Sequence, residues 1–480
     1  MCGFAGILSF DGIEESVLTK MGAAIVHRGP DDSGIWCDQD AGIGLVHQRL
    51  SILDLSPAGH QPMHSASKRY VIAFNGEIYN HLELRKMLGD FQWRGHSDTE
   101  TLLAGFDVWG IQGTLERAIG MFAFAVWDRE LRLLTLARDR VGEKPLYYGW
   151  QENQGKKSFL FGSELKALKQ NQVFAGDVNR EALCLLLRHN CIPSPHSIYK
   201  GISKLNPGCY LTVSLQDKEP KIFSYWSATK VAEYGVSNPF NDDPKHLLDE
   251  LESLLKDSIR QQMISDVPLG AFLSGGLDSS TVVSLMQAQS SQPIKTFTIG
   301  FEEKLYNEAE HAKAVAKHLG TDHTELYVSP QEAMSVIPKL PAIYDEPFSD
   351  SSQIPTFLVS QLARQHVTVS LSGDAGDELF CGYNRYLLTE KIWNKLSYLP
   401  IPLRKLIASG ITTIPSSWWN NILNPFSKVL PRALRQANFG DKLHKAAGVI
   451  DSKSADDLYL GLVSHWGDPA SVVLGTTGEP

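Results

Sequence analysis

The chain has 480 residues, 43% of them apolar and 21% charged, the balance of a globular protein of about two to four domains. Its formal charge of −9 argues against non-specific nucleic-acid binding and against an anionic membrane surface, and no apolar run is long enough to span a bilayer. The first residues carry no basic region ahead of their short apolar stretch, so they do not read as a secretory signal. Six scattered cysteines without a C-x-x-C pair fit a reducing cytoplasm and offer no metal-site spacing.

Removal of Met1 would expose Cys2 as the first residue. Its thiol would then lie a few bonds from an α-amine with an unperturbed pKa near ~8, so one residue supplies nucleophile and base. Beyond it, β-prone runs at 4–10, 42–53, 70–75, 121–128, 131–137, 146–150 and 158–162 alternate with turns. Helical patterns at 14–27, 82–88 and 99–109 lie between them, which predicts stacked antiparallel sheets flanked by helices. Taken alone, Asn75-Gly76 would suit a hairpin turn, and Ser97-x-x-Glu100 a capping box with Asp98 at a helix start. His27-Arg28-Gly29-Pro30 reads as a helix end.

Between residues 169 and 241 the signals weaken to turn chemistry, and a domain boundary is expected near 213. Asp243-Pro244 opens a helix whose leucines at 247, 248, 251, 254 and 255, with Ile259 and Met263, form one stripe expected to be core. Strand-like runs at 269–273, 294–299 and 367–371 then alternate with helix-like 279–289, 308–319 and 356–365, the rhythm of a parallel sheet. Ligands of such sheets sit at the C-terminal strand ends. There lie Leu273-Ser274-Gly275-Gly276-Leu277-Asp278-Ser279-Ser280 and Ser372-Gly373-Asp374-Ala375-Gly376-Asp377. A Ser/Gly turn from strand into helix aims N–H groups and hydroxyls at an anion. The lysine of the GxxxxGK[ST] loop is missing, and Asp278 beside an anion implies an intervening metal. The residues point to a nucleotide pyrophosphate with Mg²⁺ on Asp278, and on Asp377 if it faces the same crevice.

The eight-residue stretch resembles the pyrophosphate loop of ATP pyrophosphatases. Cys2-Gly3, His27–Asp32, Arg49–Ile52, Asn75–Asn80, Ser97–Glu100 and Arg138–Arg140 together resemble class II, N-terminal-nucleophile glutamine amidotransferases. Both halves in one chain resemble the glutamine-hydrolysing asparagine synthetase family. The resemblance implies an α+β domain at 2–213 with a four-layer αββα fold, then an α/β ATP-pyrophosphatase domain with a parallel sheet at 243–480. By it, Cys2 attacks the glutamine amide, while Asn75 and the Gly76 N–H form the oxyanion hole. Arg49 pairs with the glutamine α-carboxylate. Asp98 takes the α-ammonium, alongside Glu77 and the backbone of Leu50, Ser51, Ile52 and Leu53. Leu273, Ser274, Gly275, Gly276, Asp278, Ser279, Ile299, Ser372 and Gly373 surround ATP, and Asp374 serves formation of a β-aspartyl-AMP. The implied reaction is aspartate + ATP + glutamine + water to asparagine + AMP + pyrophosphate + glutamate, in a cytoplasmic enzyme with small-molecule partners and a homodimer left open.

Three features depart from that family pattern. Many members carry Glu where this chain has Asp374. Residues 344–350 (YDEPFSD) stand where the asparagine-forming bacterial enzymes have a segment containing Thr and Arg. This leaves open amidation of another carboxylate, such as a sugar acid of an envelope polymer. The family continues with a helical segment and a basic motif beyond the point where this sequence reads Gly475–Pro480. From that difference the chain is expected to bind ATP and hydrolyse glutamine, and to make amide poorly.

Overall fold

The computed structural model describes residues 1–301, 308–423 and 439–480. They fall into two compact units, Met1–Asn179 with Ile192–Gly373, and Arg180–Cys191 with Asp374–Pro480.

Three sheets build the first unit. One is antiparallel in the order Ser203–Lys204, Tyr147–Asn153, Lys156–Gly162, Gly3–Ser9, Ile43–Arg49, Asp32–Asp38. The second, also antiparallel, runs Lys221–Ser224, Cys209–Val213, Leu133–Arg138, Gly120–Asp128, Tyr70–Ile78, Met63–His64. Phe4, Leu8, Ile43 and Leu45 of the first meet Val71, Ala73, Ala125, Trp127 and Leu136 of the second in one buried core. Period-two alternation turns Ile72, Phe74, Phe122 and Phe124 to the opposite face, where Leu102, Leu103 and Phe106 of helix Asp98–Arg117 cover them. The helix Glu15–Ala24 closes the outer face of the first sheet. It lies so near that a Cβ on Gly44 would sit 2.6 Å from Leu18, and one on Gly22 2.7 Å from Val46. The result is the four-layer αββα arrangement.

The third sheet is parallel, ordered Asp322–Val328, Lys295–Phe301, Leu269–Phe272, Val369–Leu371. Helices Leu277–Ala288, Ala309–Leu319 and Gln353–Ala363 separate its strands in sequence, as the βα rhythm predicts. The second unit is helical. Its buried Arg404 donates to the carbonyls of Leu399 and Ser452 at 2.6 and 2.7 Å, and its Arg188 pairs with Glu479 at 2.6 Å.

Several expectations need correction. Asn75-Gly76 is no hairpin turn; both residues lie inside strand Tyr70–Ile78, with Gly76 opposite Phe122. The second sheet continues past residue 213, because Lys221–Ser224 pairs with Cys209–Val213. Of the leucine stripe on helix Pro244–Gln262, Leu255, Ile259 and Met263 join a core, whereas Leu248 and Leu254 are exposed. Among the described residues no helix is long and apolar enough to cross a membrane.

Candidate active site

The register of strand Gly3–Ser9 determines where the chain's first thiol lies. Gly3 pairs with Gln48, so Cys2 falls beside Arg49 and Leu50. The Leu50 N–H donates to Cys2 Sγ at 3.4 Å, and the thiol reaches the Leu50 carbonyl at the same distance. A cavity opens here, walled by Cys2, Arg49, Leu50, Ile52, Leu53, Gly76, Glu77 and Asp98 among the residues singled out from the sequence. Gly59, Gln61, Phe74, Ser97 and Thr99 complete the wall. Ser51 and Asn75 lie outside it. Ser51 donates its N–H to Asp31 at 2.8 Å.

Each charged group in the cavity is held by backbone. The Arg49 guanidinium donates to the carbonyls of Leu53, Asp54 and Ser56, and it forms no ion pair among the described residues. Gly59 is what gives it room, since a Cβ there would lie 1.8 Å from Nη2. Asp98 accepts from the N–H groups of Ile78 and Thr99, both at 2.8 Å. Burial nevertheless pushes its carboxyl up to about 6. Burial, with the Asp98 charge next in weight, holds Glu77 well above the usual carboxylate range. Arg49, with no ion-pair partner among the described residues, thus lines the same cavity as two acidic side chains whose ionisation burial disfavours.

The groups beside the thiol are equally constrained. Burial raises the Cys2 thiol, so it stays protonated unless a base takes its proton. The chain's α-amine, on Met1, is lowered by burial to about 6 and is therefore largely neutral at pH 7. Asn75 is fully buried with neither its side-chain nitrogen nor its oxygen hydrogen-bonded. An orphaned amide of that kind costs about 1–3 kcal/mol, which marks it for a ligand or a reacting group. Arg28 Nε donates to the Cys2 carbonyl at 2.9 Å, and Arg28 pairs with Glu164 at 2.7 Å. Glu164 also pairs with Lys166 at 2.7 Å, and Lys166 with Asp345 at 3.4 Å. Although burial alone would raise it, Lys166 and Arg28 hold the Glu164 carboxyl below its usual range.

That ladder ends in the segment around residues 344–350. Asp345 and its neighbour Glu346 are both mostly buried. Glu346 pairs with Lys204 and accepts from the Ile198 N–H at 2.8 Å. The acidic pair therefore fastens the parallel-sheet portion to the two antiparallel sheets. Nothing local in the sequence explains it, because its partners are 142 to 199 residues away, from Lys204 to Tyr147.

The second candidate site begins where strand Leu269–Phe272 ends. Leu273 is buried, and its N–H donates to Phe297 at 2.9 Å. Gly275 has φ +82, and a Cβ on it would meet the Ala312 nitrogen at 2.7 Å, so the turn requires glycine. Ser274 and Ser279 join hydroxyls at 2.9 Å across the turn. No side chain caps helix Leu277–Ala288, which leaves its first N–H groups for a ligand. Gly373 lies against this helix start, its absent Cβ only 2.6 Å from Ser279 N, so the two Ser-Gly loops meet. Ile299 is half-buried on the neighbouring strand. Asp278 is half-buried in the helix's first turn and forms no ion pair among the described residues. Asp374 and Asp377 belong to the second unit.

An N-terminal-nucleophile layout coupled to a pyrophosphate-type turn defines a two-site amidotransferase. Residues 1–226 match the glutamine amidotransferase domain family, and residues 250–477 match asparagine synthase. A Methanocaldococcus jannaschii protein assigned as glutamine-hydrolysing asparagine synthetase 2 is 40% identical over 81% of this chain and 76% of its own. Glutamine-hydrolysing asparagine synthetase 1 of Bacillus subtilis is 37% identical over 86% of this chain and 64% of its own. Asparagine synthetase B of Escherichia coli is 31% identical over 85% and 69%. The chain belongs to the glutamine-hydrolysing asparagine synthetase family. It spans about two thirds to three quarters of these relatives' lengths, as the 64% and 76% coverages bound.

Proposed function

We propose that the chain makes asparagine from aspartate, ATP and glutamine, with Cys2, freed of Met1, releasing the ammonia. The observation that carries the amidotransferase half is the cavity itself. It gathers a thiol, an acid-free guanidinium and two buried carboxylates around one ligand-sized space. Glutamine enters with its α-carboxylate on Arg49 and its α-ammonium on Asp98 and Glu77, flanked by the loop from Leu50 to Leu53. Its side-chain amide then lies against Cys2. The α-amine takes the thiol proton as sulfur bonds to the amide carbon, and returns it as ammonia leaves. Asn75 Nδ2 and the Gly76 N–H stabilise the oxyanion, which relieves the orphaned Asn75 amide. Water then cleaves the thioester to glutamate.

ATP fits the turn from Leu273 to Ser279 with Ser372, Gly373 and Ile299, its pyrophosphate on the uncapped helix start. Mg²⁺ bound with ATP typically uses one or two carboxylates plus phosphate oxygens, and Asp278, in the first turn of the helix that follows the Ser/Gly turn, fits that demand. No group of three or more His, Cys, Asp or Glu side chains that could hold the ion occurs among the described residues. When bound, it neutralises charge on the departing pyrophosphate. Asp374 serves the β-aspartyl-AMP step by the same family correspondence. The free state of all six cysteines supports a cytoplasmic site of action.

Cys2→Ala abolishes glutamine-dependent asparagine formation and spares ammonia-dependent formation, read by product chromatography with each nitrogen source. Equal loss of both would refute the division of labour. Arg49→Ala raises the glutamine KM by about ten- to a hundredfold, since a charge-assisted carboxylate contact contributes roughly 1.5–3 kcal/mol. An unchanged KM with a lowered Tm would make Arg49 structural. Asp98 must be ionised to hold an ammonium, and its carboxyl titrates at about 6. The glutamine KM therefore climbs as pH falls through that value and is flat above it, while loss of the base appears in kcat. A KM independent of pH on both sides of 6 would remove Asp98 from the ammonium site.

A further inference from the structure

Asp266 touches neither cavity, yet it is bonded to the loop of one and continuous with the strand of the other. Its N–H donates to the Ile52 carbonyl at 3.0 Å. Its Oδ2 accepts from the Asp54 N–H at 2.8 Å and from His96 Nε2 at 2.7 Å. His96 in turn donates its own N–H to Asp54 Oδ2 at 2.8 Å, closing a ring of Asp266, Asp54 and His96. Asp54 needs such support. It is buried with φ +58, a left-handed conformation that costs a non-glycine residue about 1 kcal/mol. In that conformation its carbonyl, with that of Leu53, cradles the Arg49 guanidinium.

On the other side, Val267 and Pro268 lead directly into strand Leu269–Phe272, and the turn of Ser274 and Gly275 follows. This strand is interior, paired with Lys295–Phe301 on one edge and Val369–Leu371 on the other. The Pro268 carbonyl is itself tied to the Thr368 N–H at 2.9 Å. Only seven residues, Val267 to Leu273, at most about 25 Å of chain, thus separate the Asp266 bonds from the anion turn. A strand pinned on both edges moves as a body.

We propose that Asp266 is a positioning residue that couples the two sites, so that a nucleotide in the turn at Ser274–Ser279 tightens glutamine binding at Arg49. This rests on the assignments of glutamine and ATP made above. The direction follows from ordering. A ligand that stills the strand stills the loop on Asp266, and the second ligand then loses less conformational freedom. The coupling acts through loop position, and Asp266 itself contacts neither ligand.

The test uses the full chain with Cys2→Ala, so that glutamine is bound without turnover, and calorimetry with glutamine and with ATP plus Mg²⁺. In this parent, saturating ATP lowers the glutamine Kd by about fivefold or more, and glutamine lowers the ATP Kd by the same factor, as linkage demands. Adding Asp266→Ala weakens glutamine alone, leaves the Kd for ATP alone in place and reduces the mutual effect to less than about twofold. His96→Ala does the same in part, and the two together do no more than Asp266→Ala, because both break one ring. Asp266→Asn, which keeps an acceptor for the Asp54 N–H, restores part of the coupling. An undiminished mutual effect in Asp266→Ala, or none in the parent, overturns the proposal. Failure of the parent to bind glutamine or ATP at all overturns the assignments beneath it, and the coupling with them.

Discussion

The pairing of Gly3 with Gln48 is the constraint on which the first site depends. A slip of one residue would turn every side chain of strand Gly3–Ser9 to the other face, expelling Phe4 and Leu8 from the core between the sheets. The packing of that core therefore places Cys2, one residue upstream, against the backbone of Leu50. The polar groups around it are unfavourable by themselves. Arg49 is buried without an acid, Asp98 is lifted by burial, and Asn75 has no partner. The double-sheet core sustains these costs, which makes the cavity a preformed receptor for charge.

Ion pairs are among the connections between the antiparallel-sheet portion and the parallel-sheet portion. Glu346 meets Lys204, Asp345 meets Lys166, and the latter pair continues through Glu164 and Arg28 to the Cys2 carbonyl. Charges alternate along this ladder, so each buried ion has an opposite neighbour and none is left uncompensated. Such contacts fix relative position more than they add stability. If ammonia is released at one place and consumed at another, as proposed, position is what matters.

Much of this was legible in the sequence where signals are local. The runs at 4–10, 121–128 and 158–162 became strands nearly as read, because apolar β-prone residues in such runs pack wherever two sheets stack. Gly275 was readable for the same kind of reason, since a strand-to-helix turn at an anion site needs a residue free to take positive φ. Asp32–Asp38 was missed; its mixed, partly exposed residues suit an edge strand and carry little pattern. The hairpin alternative for Asn75-Gly76 fails because turn propensity is a local preference, and pairing along Gly120–Asp128 overrides it. The leucine stripe at 247–263 overstated its burial, because periodicity marks a face without saying how much of it finds a partner. The roles of Gly59 and of the acidic pair Asp345-Glu346 could not be read, for their reasons lie in Arg49 and in lysines far along the chain.

On the proposed mechanism Cys2, as the terminal residue, is the nucleophile that takes the glutaminyl group. Acid quenching of the full chain during glutamine turnover, followed by mass spectrometry of its N-terminal peptide, tests this directly. The account predicts a peptide that begins at Cys2, lacks Met1 and carries a γ-glutamyl thioester on the cysteine sulfur. Turnover by a chain that still begins at Met1, or an adduct on any other residue, would contradict it.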